Sequence, residues 1–165
     1  MEASMPAGNP AIAAKAGARL RELGLVLPKA PTPLGSYVEA SEAGSLLFLS
    51  GTLPVVNGKL AIAGRLGENL TVEQGSEAVR IAAMNALAIA HEHLGDLDRV
   101  KKLVKLSVTL TTTAEFREHA VVADGASNLF AQIFGTENGH VRVVSGVQSL
   151  PIGTPVVVET IFEFE

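Results

Sequence analysis

Apolar positions along this chain change their period several times, and each change marks an element. Ile12, Ala16, Leu20 and Leu23 recur at helical spacing. Asn9 suits an N-cap, Pro10 the first turn and Gly24 the position past the end, so a short amphipathic helix is predicted over Pro10–Leu23. Pro28, Pro31 and Pro33 then impose an extended stretch. From Ser36 to Ile62 the pattern predicts strands. Leu46–Leu49 is a compact apolar run ending at Ser50-Gly51. Val55–Leu60 carries Asn57-Gly58 at its centre, the pair that a type I′ hairpin turn demands.

Thr71 and Gln74 make a capping box, and Gly95 closes a long helix over Thr71–Leu94. Its many alanines, Ala78, Ala82, Ala83 and Ala86 among them, suit a helix pressed closely on a sheet. Val104, Leu106, Val108 and Leu110 alternate with Lys105, Ser107 and Thr109, which predicts a strand. Thr112 with Glu115 predicts the cap of another helix, broken at Asp124-Gly125 and resumed over Ala126–Phe134. Two final strands, Val141–Leu150 and Pro155–Phe164, are joined by a turn at Pro151–Thr154. The order predicts an α+β fold: one mixed sheet with the main helices on one face. Several strands are apolar on both sides, so the second face is expected to be buried against other subunits.

Composition agrees with a single globular domain. Of 165 residues 47% are hydrophobic and 18% charged, which excludes a disordered chain. The net charge of -4, from 13 Lys+Arg against 17 Asp+Glu, argues against a nucleic-acid partner. No run approaches the roughly 18 apolar residues of a membrane span. The Ala-rich start is interrupted by Asn9-Pro10 and carries Lys15 and Arg19, unlike a secretory signal, so a cytoplasmic location is expected. With no cysteine, disulfides, thiolate metal sites and a cysteine nucleophile are excluded. His91 and His93 are two apart on a helix and cannot share a metal. No phosphate-binding glycine loop or serine elbow occurs, and neither metal nor cofactor is expected.

Arg142 stands out in the apolar segment His140–Val147. Strand alternation puts His140, Arg142, Val144, Gly146 and Gln148 on one face. A guanidinium in a sheet seeks a carboxylate, either from within the chain or from a ligand. Tyr37, the lone tyrosine, is either a packing residue or part of a site. Ser50-Gly51 is either a turn ending a strand or a place where the Gly51 N–H approaches a ligand.

Four segments, in order, resemble one family. Pro33-Leu34-Gly35-Ser36-Tyr37 is similar to the Gly-Pro-Tyr-Ser start of the RidA (YjgF/YER/UK) family, also called endoribonuclease L-PSP proteins. Leu47–Pro54 resembles its strand ending in Ser-Gly-Gln-(Leu/Ile)-Pro, and Val104–Val108 followed by Phe116 its fourth-strand segment. Arg142, Leu150-Pro151 and the Val-rich strand carrying Glu159 resemble its closing signature. The resemblance covers residues 31–165. Residues 1–30, with their short helix, look like the N-terminal extension of a longer subgroup, which the Asp124–Ser127 segment also resembles.

The resemblance implies a chorismate-mutase-like sheet with two main helices on one face, assembled as a homotrimer with the sheets inward. It implies a hydrolase or deaminase that converts a small carboxylate-bearing imine or enamine to a keto acid and ammonia without a cofactor. Arg142 would hold the carboxylate, Tyr37 would line the pocket from a neighbouring subunit, and Ser50 and Gly51 would meet the reacting end. One departure matters: the position of the deaminases' water-positioning glutamate is Val157, and valine cannot move a proton. His140 and Glu39 are the candidates to replace it. The alternatives are a non-catalytic trimeric sensor of small carboxylates and an endoribonuclease, as in the older family name.

Overall fold

The computed structural model describes residues 15–165. In chain order its elements are α1 (Ala16–Glu22), β1 (Ala40–Ala43), β2 (Leu46–Leu49), β3 (Val55–Val56), β4 (Lys59–Leu60), α2 (Val72–Leu94), β5 (Val100–Thr111), α3 (His119–Phe134), β6 (Val141–Val147) and β7 (Val156–Phe164). α2 begins at the predicted capping box. Thr71 Oγ1 accepts from the Gln74 N–H at 3.2 Å, and Gln74 Oε1 accepts from the Thr71 N–H at 2.9 Å. It ends at Gly95, whose φ of 81° an L side chain would resist. The β3–β4 hairpin turns on Asn57 and Gly58, with φ of 51° and 79°, as the type I′ reading requires.

The main sheet has the order β1-β2-β7-β5-β6. All neighbours are antiparallel except β5 and β6, which run parallel and are joined by the α3 crossover. The α+β plan with the long helices on one face is thus realised. Leu47, Leu106, Leu110, Val158 and Phe162 point into the core beneath Ala82, Ala83, Leu129 and Phe130. The opposite face carries Phe48, Val141 and Val143, all largely exposed, with Val157 and Ile161 half-buried. Lys105, Ser107 and Glu159 interrupt it.

Several boundaries differ from the pattern. The Thr112–Glu115 cap does not form, and α3 begins at His119 after Glu118. The reason lies in the backbone: the Thr112 N–H donates to Val147 O at 3.0 Å and the Thr113 N–H to Leu66 O at 3.0 Å, so this segment prolongs sheet pairing. There is no break at Asp124-Gly125. Gly125 lies within a continuous helix, where a Cβ would overlap the Ser76 carbonyl oxygen of α2, so it serves close helix approach. In β5 a bulge between Leu103 and Lys105 buries Leu103 in place of Val104. β6 stops at Val147, short of the predicted Leu150. Of the predicted first helix, residues 10–14 lie outside the described residues. The described part starts at Ala16, and the Gly17 N–H donates to Asp98 Oδ1 at 2.7 Å. Ala16 and Leu20 are buried in the main core.

Candidate active site

Tyr37 and Glu39 lie at one edge of the sheet and His140 and Arg142 at the other, while Ser50 and Gly51 follow β2 and sit beside the middle strand β7. Tyr37 and Glu39 lie just before β1, one edge strand, and Arg142 lies in β6, the other. Four strand spacings of about 4.8 Å put those edges roughly 19 Å apart.

At the first edge, Tyr37, Glu39 and Gly51 line one cavity of about 470 Å³ between the proline-rich segment and the β3–β4 hairpin. Tyr37 Oη accepts from the Leu34 N–H at 3.2 Å, which folds the segment over its ring. Ser50 braces the same segment: its hydroxyl donates to Val38 O at 2.7 Å and its N–H to Glu39 O at 2.9 Å. The floor is pinned to α2. Asn85 donates to Leu53 O and Val55 O, both at 2.9 Å, and Thr52 Oγ1 donates to a carbonyl, with Ala82 O and Val158 O each at 3.0 Å. A Cβ on Gly51 would sit 2.6 Å from Val157 Cγ1, so glycine is required there and Val157 seals the position. Burial raises the Glu39 carboxyl above its ordinary pKa, making it a better proton acceptor than an exposed carboxylate. Ile152 also lines the cavity, at a φ of 53° that a β-branched residue rarely takes.

At the second edge Arg142 reaches across the seam between β6 and α3. Nη1 donates to Asp124 Oδ1 at 2.7 Å and to Ser127 Oγ at 3.1 Å. Among the described residues Nε and Nη2 make no hydrogen bond, so one edge of the fork remains to receive a carboxylate. The internal ion pair and an open donor edge therefore coexist. His140 Nε2 lies 2.9 Å from the same Ser127 Oγ. Arginine can only donate, so Ser127 Oγ accepts from Arg142, and the direction of its bond to His140 Nε2 is set by the imidazole tautomer. Burial first, and the Arg142 charge second, lower the His140 pKa below 6.5, which leaves the imidazole uncharged at neutral pH. A smaller hollow of about 200 Å³, lined by Leu103, Phe130 and Asn138, adjoins His140.

Pattern alone does not mark Asp124 and Ser127 as site residues. Their signal was spacing: three apart on a helix, they share the face that meets β6. Among the described residues no group of three or more His, Asp and Glu side chains gathers to hold a metal. No helix there is long and apolar enough to cross a membrane.

A family model described as "YjgF/chorismate mutase-like, putative endoribonuclease" matches residues 17–164. Protein TCP17 of Trypanosoma cruzi is 40% identical over 150 residues, covering 90% of this chain and 94% of that one. A crystal structure from Shewanella oneidensis, described as that of "a putative endoribonuclease", superposes with a TM-score of 0.87 at 34% identity, covering 92% of this chain and all of that one. A protein of unknown function from Agrobacterium tumefaciens superposes with a TM-score of 0.83 at 36% identity, over 91% and 92% of the two chains.

Proposed function

This chain belongs to the YjgF/chorismate mutase-like (RidA) family, and on that premise we propose that it hydrolyses a small imine or enamine bearing a carboxylate, releasing ammonia and a keto acid. The observation that carries this reading is the Arg142 fork, held at Nη1 by Asp124 and Ser127 with its Nε–Nη2 edge open. That edge takes the substrate carboxylate bidentately. Tyr37 and Glu39 lie on the sheet edge opposite Arg142, which supports a site completed between copies, the Tyr37–Glu39–Gly51 cavity of one closing over Arg142 of another in a homotrimer with the bare sheet faces inward.

The chemistry balances with water alone. Water adds to the imine carbon, Glu39 takes its proton, and the tetrahedral carbinolamine loses ammonia to leave the ketone. Enamines reach the same point after protonation to the imine. Glu39 supplies the proton acceptor that Val157 cannot, and its protonated carboxyl then gives that proton to the departing nitrogen, which restores the carboxylate.

Val157 favours a second reading, a trimer that binds small carboxylates without turning them over. RNA cleavage is less well supported, since the net charge of -4 offers no concentrated basic track. Assaying ammonia and pyruvate release from 2-iminopropionate decides among them. The hydrolase reading predicts turnover that disappears in Arg142→Ala. A rate equal to buffer, together with a raised melting temperature in keto acids, would establish the binding module instead.

A further inference from the structure

We propose that Asp124 is a specificity-determining residue: it reads a cationic nitrogen beside the ligand's carboxylate, so that the Arg142–Asp124 pair selects zwitterions over keto acids and simple carboxylates. This rests on the reading of Arg142 as the carboxylate anchor.

Asp124 is bound through one oxygen only. Oδ1 accepts from Arg142 Nη1, while Oδ2 has no partner among the described residues and the side chain is 51% exposed. Arg142 in turn keeps Nε and Nη2 open. Two opposite charges thus lie side by side, Arg142 with the donors of Nε and Nη2 unused and Asp124 with Oδ2 unused among the described residues. An α-amino or α-iminium acid carries the complementary arrangement, with its carboxylate and its charged nitrogen on adjacent atoms. Its carboxylate fits the open edge of Arg142, and its nitrogen donates to Asp124 Oδ2.

Charge balance sharpens the choice. Arg142 and Asp124 sum to zero, and the adjoining Ser127 and uncharged His140 add nothing. A simple carboxylate approaching Arg142 meets the like charge of Asp124, and a zwitterion meets an opposite charge at both ends. After hydrolysis the keto acid has lost the nitrogen, Asp124 has lost its partner, and the product is held less tightly than the iminium substrate.

The test is calorimetric binding of three ligands with one carbon skeleton, 2-aminobutyrate, 2-ketobutyrate and butyrate, to the full-length protein. The proposal expects 2-aminobutyrate to bind roughly tenfold or more tighter than the other two, the worth of one charge-assisted hydrogen bond. In Asp124→Asn that preference collapses, while binding of 2-ketobutyrate holds or improves. Asp124→Glu, which keeps the charge, retains the preference. Equal affinity for all three ligands in the wild-type protein overturns the proposal and leaves the Arg142 anchor standing. An equal loss for all three in Asp124→Asn also overturns it, since Asp124 would then only position Arg142. No binding of any ligand overturns both.

Discussion

Asp124 grips Arg142 by a single nitrogen, Oδ1 to Nη1 at 2.7 Å, and so fixes the guanidinium without filling its fork. The pair is partly solvated, with Arg142 at 24% and Asp124 at 51% side-chain exposure. Screening limits such a pair to about 1 kcal/mol or less. With the Ser127 hydrogen bond lost as well, Arg142→Ala is expected to lower unfolding free energy by about 1–2 kcal/mol, while imine turnover is abolished. Urea denaturation and the ammonia assay read the two effects separately. A stability loss of several kcal/mol would make Arg142 a structural residue.

The opposite-edge placement of Arg142 and Glu39 predicts complementation. Arg142→Ala and Glu39→Gln proteins are each inactive, but unfolded together and refolded they form mixed assemblies. About a quarter of the sites then combine an intact Arg142 edge with an intact Glu39 edge from a neighbour. Recovered activity near that fraction supports a shared site. No recovery, with mixing verified by mass spectrometry, would show that one chain supplies both residues.

His140 predicts a pH slope in stability. Its folded pKa lies below 6.5, so between that value and 6.5 the unfolded chain holds more protons. Stability is complete above 6.5, falls as pH drops through the folded value, and then levels off. Glu39 acts in the opposite sense: its raised carboxyl contributes stability below 4.5 that is lost as pH rises through the folded value. Urea midpoints of wild-type and His140→Gln proteins, compared from about pH 8 to 5, isolate the histidine term. Parallel curves would remove His140 from the account.

Gly125→Ala sets helix propensity against packing. Alanine gains about 1 kcal/mol in a helix interior. Its methyl group would, however, overlap the Ser76 carbonyl oxygen, a backbone atom of α2 that cannot swing aside. Overpacking of this kind costs about 1–3 kcal/mol, so a net loss of up to about 2 kcal/mol is expected from chemical denaturation. A stabilised variant would mean that α3 slides freely on α2.

Ile152 predicts the reverse trade. Its left-handed backbone costs about 1–2 kcal/mol, and glycine adds back about 1 kcal/mol of unfolded-state entropy. The side chain is mostly exposed, so little burial is forfeited. Ile152→Gly is expected to raise stability by up to about 1 kcal/mol while weakening ligand binding at the cavity wall. Thermal melts with and without a keto acid measure both.

Local rules made much of the fold legible. Thr71, Gln74 and Gly95 framed α2, and Asn57-Gly58 framed the hairpin, because each acts within a few residues of itself. The misreadings came where a distant partner decides. Thr112 has the look of a cap, but Val147 takes its N–H. Gly125 has the look of a breaker, but Ser76 explains its lack of a side chain. The site divided along the same line. Arg142, Tyr37 and Gly51 were readable as unusual residues in their own segments. Asp124 and Ser127 acquire meaning only when α3 is laid against β6.

β6 is joined to the sheet on one side only, through its parallel ladder with β5. β7, by contrast, is hydrogen-bonded along both flanks, to β2 and to β5. Arg142 thus rides on a strand that can breathe while the middle of the sheet stays shut. The amide protons of β6 are expected to exchange with solvent through brief local opening, and those of β7 only when the whole molecule unfolds. Arg142 and the core that presents it are then expected to have separate lifetimes.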